Sequence, residues 1–147
     1  SPRTQSRFHL VNCTFPDQAQ VVRIFESILT PKLSDFDNDM KAMGKNLAQV
    51  SLNVYFDVLD QFLPTPVKFH YTFNLREVAK VVQGVIQAER VFFPGKDDML
   101  RLWVHESLRV YADRFTDRTR DTKKFIEILD KHLSATFEGE KWDSLCD

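Results

Sequence analysis

The chain has 147 residues, of which 43% are hydrophobic and 28% are charged, and its formal net charge is −1. This length is sufficient for one domain with a hydrophobic core, and the near-neutral charge gives no electrostatic basis for binding nucleic acid or an anionic membrane. No apolar run is long enough to span a bilayer, and the thirteen phenylalanines predict a core rich in aromatic rings.

The first sixteen residues are interpreted as the end of a larger unit. The chain begins at Ser1 without a methionine and has the character of an excised fragment. Residues 8–15 are apolar enough to predict one short strand, over 8–13, which stops before Pro16. Because a single strand cannot satisfy its own edges, we expect its partner strands to lie outside this chain, and expect 8–13 to be extended or disordered in isolation.

The rest of the chain has helical periodicity. Apolar residues recur every three or four positions in five segments, at about 18–30, 39–62, 75–89, 97–115 and 117–132. Asp17 is a suitable N-cap for the first, Pro31 is expected to end it, and its inward stripe is Val21, Ile24, Phe25, Ile28 and Leu29. The tail from 134 has no strong period, so Trp142 either docks it or leaves it disordered.

These patterns predict an all-α fold, a bundle of about five helices preceded by one short N-terminal strand. We divide the chain into a terminal piece (1–16), the helical domain (17–135) and a tail (136–147).

No residues have the spacing of a metal or catalytic site. Asp35, Asp37 and Asp39 alternate as in a calcium loop, but the glycine at loop position six and the glutamate at position twelve are absent. Gly44 lacks the companion glycine of a P-loop. We therefore predict no metal site in this chain and no ATP hydrolysis by the chain alone.

The two cysteines lie at opposite ends, at Cys13 and Cys146, and form no metal-binding spacing with the histidines. Sequence alone leaves a disulfide open, although two reduced thiols in an intracellular protein are favoured.

The stretch from Phe62 to Gly84 organises the chain. Its prolines end the preceding helix, and Asn74 with Glu77 three residues later forms a capping box that starts the next one. Arg76 is unusual there, because a cation in the first turn faces the positive end of the helix dipole. An anion in front of that end would reverse the sign, since helix N-termini and arginine both suit phosphate. On pattern alone, a surface arginine that tolerates a small penalty remains the commoner explanation.

Three groups of residues in this chain resemble dynein heavy chains. The first is Phe69 to Glu77, preceded by Leu63-Pro64-Thr65-Pro66 and followed by Gln83-Gly84; the others are Leu102 to Glu106 and Arg109-Val110-Tyr111 with Asp113-Arg114. In that family these segments belong to the helical lid of an AAA+ module, and their order is most similar to the third module of the motor ring, of the axonemal type. The resemblance covers roughly residues 3 to 130.

The resemblance implies a function that the residues alone do not. Arg76, with Asn74 beside it, would be the sensor-2 group that reaches nucleotide phosphates. The lid would close over ATP or ADP, held with Mg by a large subdomain missing here, and no cofactor is expected in the isolated fragment. It would relay nucleotide state to neighbouring AAA+ subdomains for microtubule-based movement, at an axoneme of a cilium or flagellum, with microtubules contacted only by distant parts of the parent chain.

An arginine-finger role at the N-terminus is weakly supported by the resemblance. The family has Arg-Phe-x-Arg-His-Phe before the strand, and here Arg3 matches the first arginine, Ser6 replaces the second and Arg7 stands in place of the histidine. Arg3 is therefore a doubtful finger, and a solvated arginine on a mobile terminus is the alternative.

A second class of function also stays open, namely a free-standing helical module that binds a partner through an exposed apolar groove. The terminal strand discriminates between the two, because a lid needs it as part of another subdomain and an independent module has no use for it unpaired.

Overall fold

The computed structural model describes residues 1–34, 36, 38–137 and 142–145, and all the regular secondary structure within them is helical. The predicted all-α class is thus confirmed. The helices are α1 (Pro2–Gln5), α2 (Gln18–Leu33), α3 (Asn38–Gln61), α4 (Leu75–Ile86), α5 (Lys96–Tyr111), a 3₁₀ turn (Ala112–Arg114), α6 (Arg120–Thr136) and α7 (Trp142–Leu145).

The predicted N-terminal strand is wrong for this chain. Residues 9–17 have no regular secondary structure, and no strand forms anywhere in the part of the chain that is described. The physical reason is the one that made the strand doubtful in isolation: its N–H and C=O groups have no partner strand to bond. Phe8, Leu10 and Val11 are left exposed as a result.

Two expectations for the first long helix are also wrong. α2 continues past Pro31 to Leu33, because a proline in the last turn removes only one backbone hydrogen bond, and the Ser34 N–H still bonds to the Pro31 carbonyl. Ile24 and Ile28, expected to face inward, are 52% and 43% exposed. The buried stripe of α2 is narrower than the apolar stripe of its sequence.

Helix α3 is the centre of the bundle. All seven residues predicted for its inward stripe are buried: Met40, Met43, Leu47, Val50, Val54, Val58 and Phe62. It packs against α2, α4 and α6, while α4 packs against α5. A cluster of aromatic rings lies beside Phe62, just past the end of α3, and includes Tyr71, Phe73 and Phe115, whose ring centroids lie 5.5–6.3 Å apart.

The tail is docked through α7. The Trp142 N–H donates to the Asp130 carboxylate at 2.6 Å, and Arg101 Nε donates to the Leu145 carbonyl at 2.9 Å. Asp35, Asp37 and Cys146, which figured in the calcium-loop and disulfide questions, lie outside the described residues, and Cys13 is a free, exposed thiol. None of the described helices combines the length and the apolar character that crossing a membrane requires.

Candidate functional site

The capping box at the start of α4 is present as the sequence predicts. The Arg76 N–H donates to Asn74 Oδ1 at 2.9 Å, and the Asn74 N–H donates to Glu77 Oε2 at 3.1 Å. Asn74 has an extended backbone, as an N-cap requires. These bonds fix the direction in which α4 leaves the loop.

The Arg76 side chain points away from the protein. It is exposed, and its guanidinium makes no hydrogen bond or ion pair with any other residue in the described ranges. Glu77, adjacent in sequence, is buried whereas Arg76 is exposed, and Lys80, one turn further on, has the same sign of charge as Arg76. No local group therefore compensates a cation at this helix terminus.

Glu77 is a buried carboxylate with partners on several sides. Apart from the Asn74 N–H, Arg114 Nη1 lies 3.0 Å from its Oε1 and Lys80 Nζ lies 3.6 Å away. Its side chain is only 4% exposed, so unpaired burial would be costly. Arg114 comes from the 3₁₀ turn, so the pair joins the start of α4 to the far end of α5.

The segment before α4 is clasped by the same corner of the fold, residues 112–121, which we call the α5–α6 corner. His70 Nε2 lies 3.1 Å from the Arg114 carbonyl. The Tyr71 hydroxyl donates to Asp121 Oδ2 at 2.7 Å and accepts the Thr116 N–H at 3.0 Å. Much of the motif that carries the dynein resemblance thus builds a clasp between the α3–α4 loop and this corner.

The clasp includes a salt bridge between Lys68 and Asp121, and its environment favours the ionised form of both groups. Burial alone raises the pKa of the Asp121 carboxyl, but hydrogen bonds from Lys68 and Tyr71 outweigh burial and lower that pKa below its ordinary value. The hydrogen bond to Asp121 in turn raises the pKa of Lys68.

Behind Glu77 lies a tyrosine hydroxyl with unused hydrogen-bonding capacity. Tyr111 Oη is buried and has no hydrogen-bond partner among the described residues. Burial raises its pKa strongly, and the nearby Glu77 charge adds to the effect. The hydroxyl therefore stays protonated and available as a donor.

A polar groove of about 490 Å³ runs beside α4, between it and α5. Gly84 forms its floor, where the Glu106 side chain occupies the space that a β-carbon would fill. Glu106 is held there by Arg109, whose Nε lies 3.0 Å from Oε2. The glycine is thus explained by a close helix contact.

Arg3 is not part of this arrangement. It lies in α1, a four-residue helix with no buried residues, and its side chain is exposed. No hydrogen bond or ion pair joins Arg3 to Arg76 or Asn74 within the described structure.

Sequence reasoning missed the role of Arg114. It stood in the Asp113-Arg114 pair of the resemblance, but nothing in the spacing linked it to Glu77, 37 residues earlier. No signal in the sequence identified this partner, because the pairing depends on how the helices fold back on one another.

Comparison with known proteins agrees with this architecture. A family model of the AAA+ lid domain matches residues 47–144. The chain is 44% identical over 138 residues to dynein axonemal heavy chain 2 of Mus musculus and 42% identical to its human counterpart, each alignment covering 94% of this chain. It is 40% identical over 137 residues, or 93% of its length, to the Chlamydomonas reinhardtii dynein-1-beta heavy chain of the flagellar inner arm I1 complex.

The chain spans only about 3% of the length of each of these heavy chains. The family model covers about two thirds of the chain, from within α3 to α7. The chain therefore belongs to the AAA+ lid domain family, and its resemblance to dynein heavy chains is confirmed.

Proposed function

We propose that this chain is the lid of a dynein heavy chain AAA+ module, most like the third of the motor ring, and that it closes over nucleotide held by the module's large subdomain. The observation that carries the proposal is Arg76. Its guanidinium is exposed and unpaired within the described residues, at the N-terminus of a helix whose start is fixed by a capping box. A phosphate would pair with the arginine and interact favourably with the positive end of the helix dipole.

The described residues fit one part of a nucleotide site. Arg76 offers a planar, bidentate donor for a phosphate, and Asn74 holds the turn that presents it. No group of three or more His, Cys, Asp or Glu side chains is positioned to hold a metal ion in these residues. We assign the Mg²⁺ ligands and the phosphate-binding loop to the large subdomain, which would hold the ATP.

The N-terminal segment exposes apolar side chains that a neighbouring subdomain could cover. Between Phe8 and Phe15, four large apolar side chains are each more than 60% exposed: Phe8, Leu10, Val11 and Phe15. Burying them against a neighbouring subdomain would gain roughly 1.5–3 kcal/mol per side chain. We assign residues 1–16 to the end of the large subdomain, 17–135 to the lid and 136–147 to a tail.

The named relatives set the biological context of the proposal. They are axonemal and flagellar heavy chains, so we place this lid in the cytoskeleton, at the axoneme of a cilium or flagellum. Its partners would be the neighbouring AAA+ subdomains of its own chain, to which it relays nucleotide state, while distant parts of the parent contact the microtubule. A relay of this kind requires different lid contacts in the two nucleotide states.

The test is nucleotide binding by a heavy chain that carries this lid, with occupancy of the lid's own module measured by azido-ATP photocrosslinking and peptide mapping. Arg76→Ala should raise the apparent Kd for azido-ATP at that module roughly 10- to 150-fold, the equivalent of a charge-assisted hydrogen bond of about 1.5–3 kcal/mol. Arg23→Ala is the matched control, because Arg23 is also an exposed helical arginine but lies on α2.

Crosslinking that is unchanged by Arg76→Ala, or reduced equally by Arg23→Ala, would overturn the proposal. Circular dichroism of both variants of the 147-residue chain should match the unsubstituted protein, since neither side chain is buried.

A further inference from the structure

Arg114 holds the segment leading into α4 at two points. Its backbone carbonyl lies 3.1 Å from His70 Nε2, at the start of the segment. Its guanidinium lies 3.0 Å from Glu77 Oε1, at the end, and over the Phe73 ring at 5.3 Å from the centroid. One residue of the α5–α6 corner therefore fixes both ends of the turn that carries Arg76.

Glu77 transmits this restraint to Arg76. The Glu77 carboxylate uses Oε1 for Arg114 and Oε2 for the Asn74 N–H, so the ion pair and the capping box share one side chain. Asn74 in turn accepts the Arg76 N–H. If Arg114 were withdrawn, Glu77 would be left buried with only the more distant Lys80 as a cationic partner, and the carboxylate would be drawn towards solvent and out of the box.

We propose that Arg114 is a positioning residue for Arg76: through Glu77, the α5–α6 corner sets the direction in which Arg76 leaves α4. A movement of that corner would then change what Arg76 reaches, which makes the ion pair a mechanical link between the α5–α6 half of the lid and the nucleotide. The inference rests on the proposed phosphate contact of Arg76.

The geometry can be tested on the 147-residue chain by spin labelling. With both cysteines replaced by serine, labels at Arg76→Cys and Glu127→Cys on α6 should give one narrow distance distribution. Arg114→Gln should broaden or shift it by roughly 3–5 Å, at most about one helical turn, and Arg114→Lys should restore part of the change. Arg109→Gln is the matched control, because it removes a guanidinium from another nearly buried glutamate, Glu106, away from the start of α4.

The functional consequence is tested in the heavy chain with the azido-ATP assay. Arg114→Gln should raise the apparent Kd for azido-ATP at the lid's module about 3- to 10-fold. The double variant with Arg76→Ala should bind no more weakly than Arg76→Ala alone, because coupled residues are not additive. Should Arg114→Gln fail to fold, Glu77→Gln replaces it, since glutamine keeps the capping bond and loses the ion pair.

The outcomes separate the two claims. If Arg76→Ala leaves occupancy unchanged, the proposed function fails and the inference falls with it. If Arg76→Ala weakens occupancy but the Arg114→Gln distance distribution equals that of Arg109→Gln, or the two losses multiply in the double variant, only the positioning role of Arg114 is overturned.

Discussion

Gly84→Ala tests the close contact between α4 and α5. A β-carbon at position 84 would lie 2.5 Å from Glu106 Cγ and closer still to the carboxyl group. Real β-carbons do not approach other heavy atoms within 3.0 Å, so Glu106 must move. Moving it breaks the contacts with Arg109, at 3.0 Å to Nε.

The expected change in the free energy of unfolding combines two destabilising terms and one stabilising term. Inserting a methyl group into a packed contact costs about 1–3 kcal/mol. Loss of a half-exposed i,i+3 ion pair adds about 0.5 kcal/mol, and alanine in place of glycine inside a helix returns about 1 kcal/mol. We expect Gly84→Ala to lower the free energy of unfolding by roughly 0.5–2.5 kcal/mol.

A double-mutant cycle with Glu106→Ala, measured by urea denaturation, gives the coupling free energy between positions 84 and 106 without relying on that net value. Once Glu106 is truncated the overlap disappears, so Gly84→Ala should become stabilising by up to about 1 kcal/mol in that background. The coupling free energy should be about 1.5–3.5 kcal/mol, because the overlap and the ion-pair loss both disappear in that background. If Gly84→Ala has the same effect in both backgrounds, Glu106 does not occupy this space and the explanation of Gly84 is wrong.

Three further predictions concern the clasp, acid stability and nucleotide. Tyr71→Phe should lower the free energy of unfolding by about 1–3 kcal/mol, because the Thr116 N–H and Asp121 lose a buried partner; urea curves identical to those of the parent chain would contradict this. The hydrogen bond from Lys131 lowers the pKa of Asp57 below its ordinary 3.8, and that of Asp121 is lowered too. Their contribution to stability is thus complete above about pH 4 and is lost as pH falls through the lower folded-state pKa values, so the urea midpoint should drop in that acid range and a flat profile would argue against it. The 147-residue chain alone should bind ATP weakly or not detectably by calorimetry, and micromolar affinity would contradict its role as a lid.

The sequence predicted those features of the fold that depend on residues close together in the chain. The 3.6-residue period of α3 predicted seven residues that are all buried, but it missed Ala48, Leu52 and Tyr55, which are buried because a central helix is covered on more than one face. The capping box of Asn74 and Glu77 was predictable because its partners lie three residues apart.

Contacts between distant residues were not predictable in the same way. Nothing within a few residues of Glu77 indicates that Arg114 will reach it, since that depends on how α5 returns to α4. Likewise the period of α2 could not show that Ile24 and Ile28 lie beyond the edge of its contact with α3. The strand failed for a related reason, because pairing is not a property of one segment.

The neighbours of Arg76 leave its positive charge uncompensated, which is why we infer an external anion. A cation in the first turn of a helix costs about 0.3–1 kcal/mol, and an acidic residue in the same turn would ordinarily offset it. Glu77 is that residue, but its charge is already matched by Arg114 and partly by Lys80. The negative charge of Glu77 is therefore neutralised inside the protein, while Arg76 is exposed and has no partner in the described chain. Since most of the surrounding motif is used to clasp the α5–α6 corner, the family resemblance by itself does not distinguish a sensor from a surface residue. The uncompensated positive charge at a capped helix terminus is the feature that supports the proposed phosphate contact.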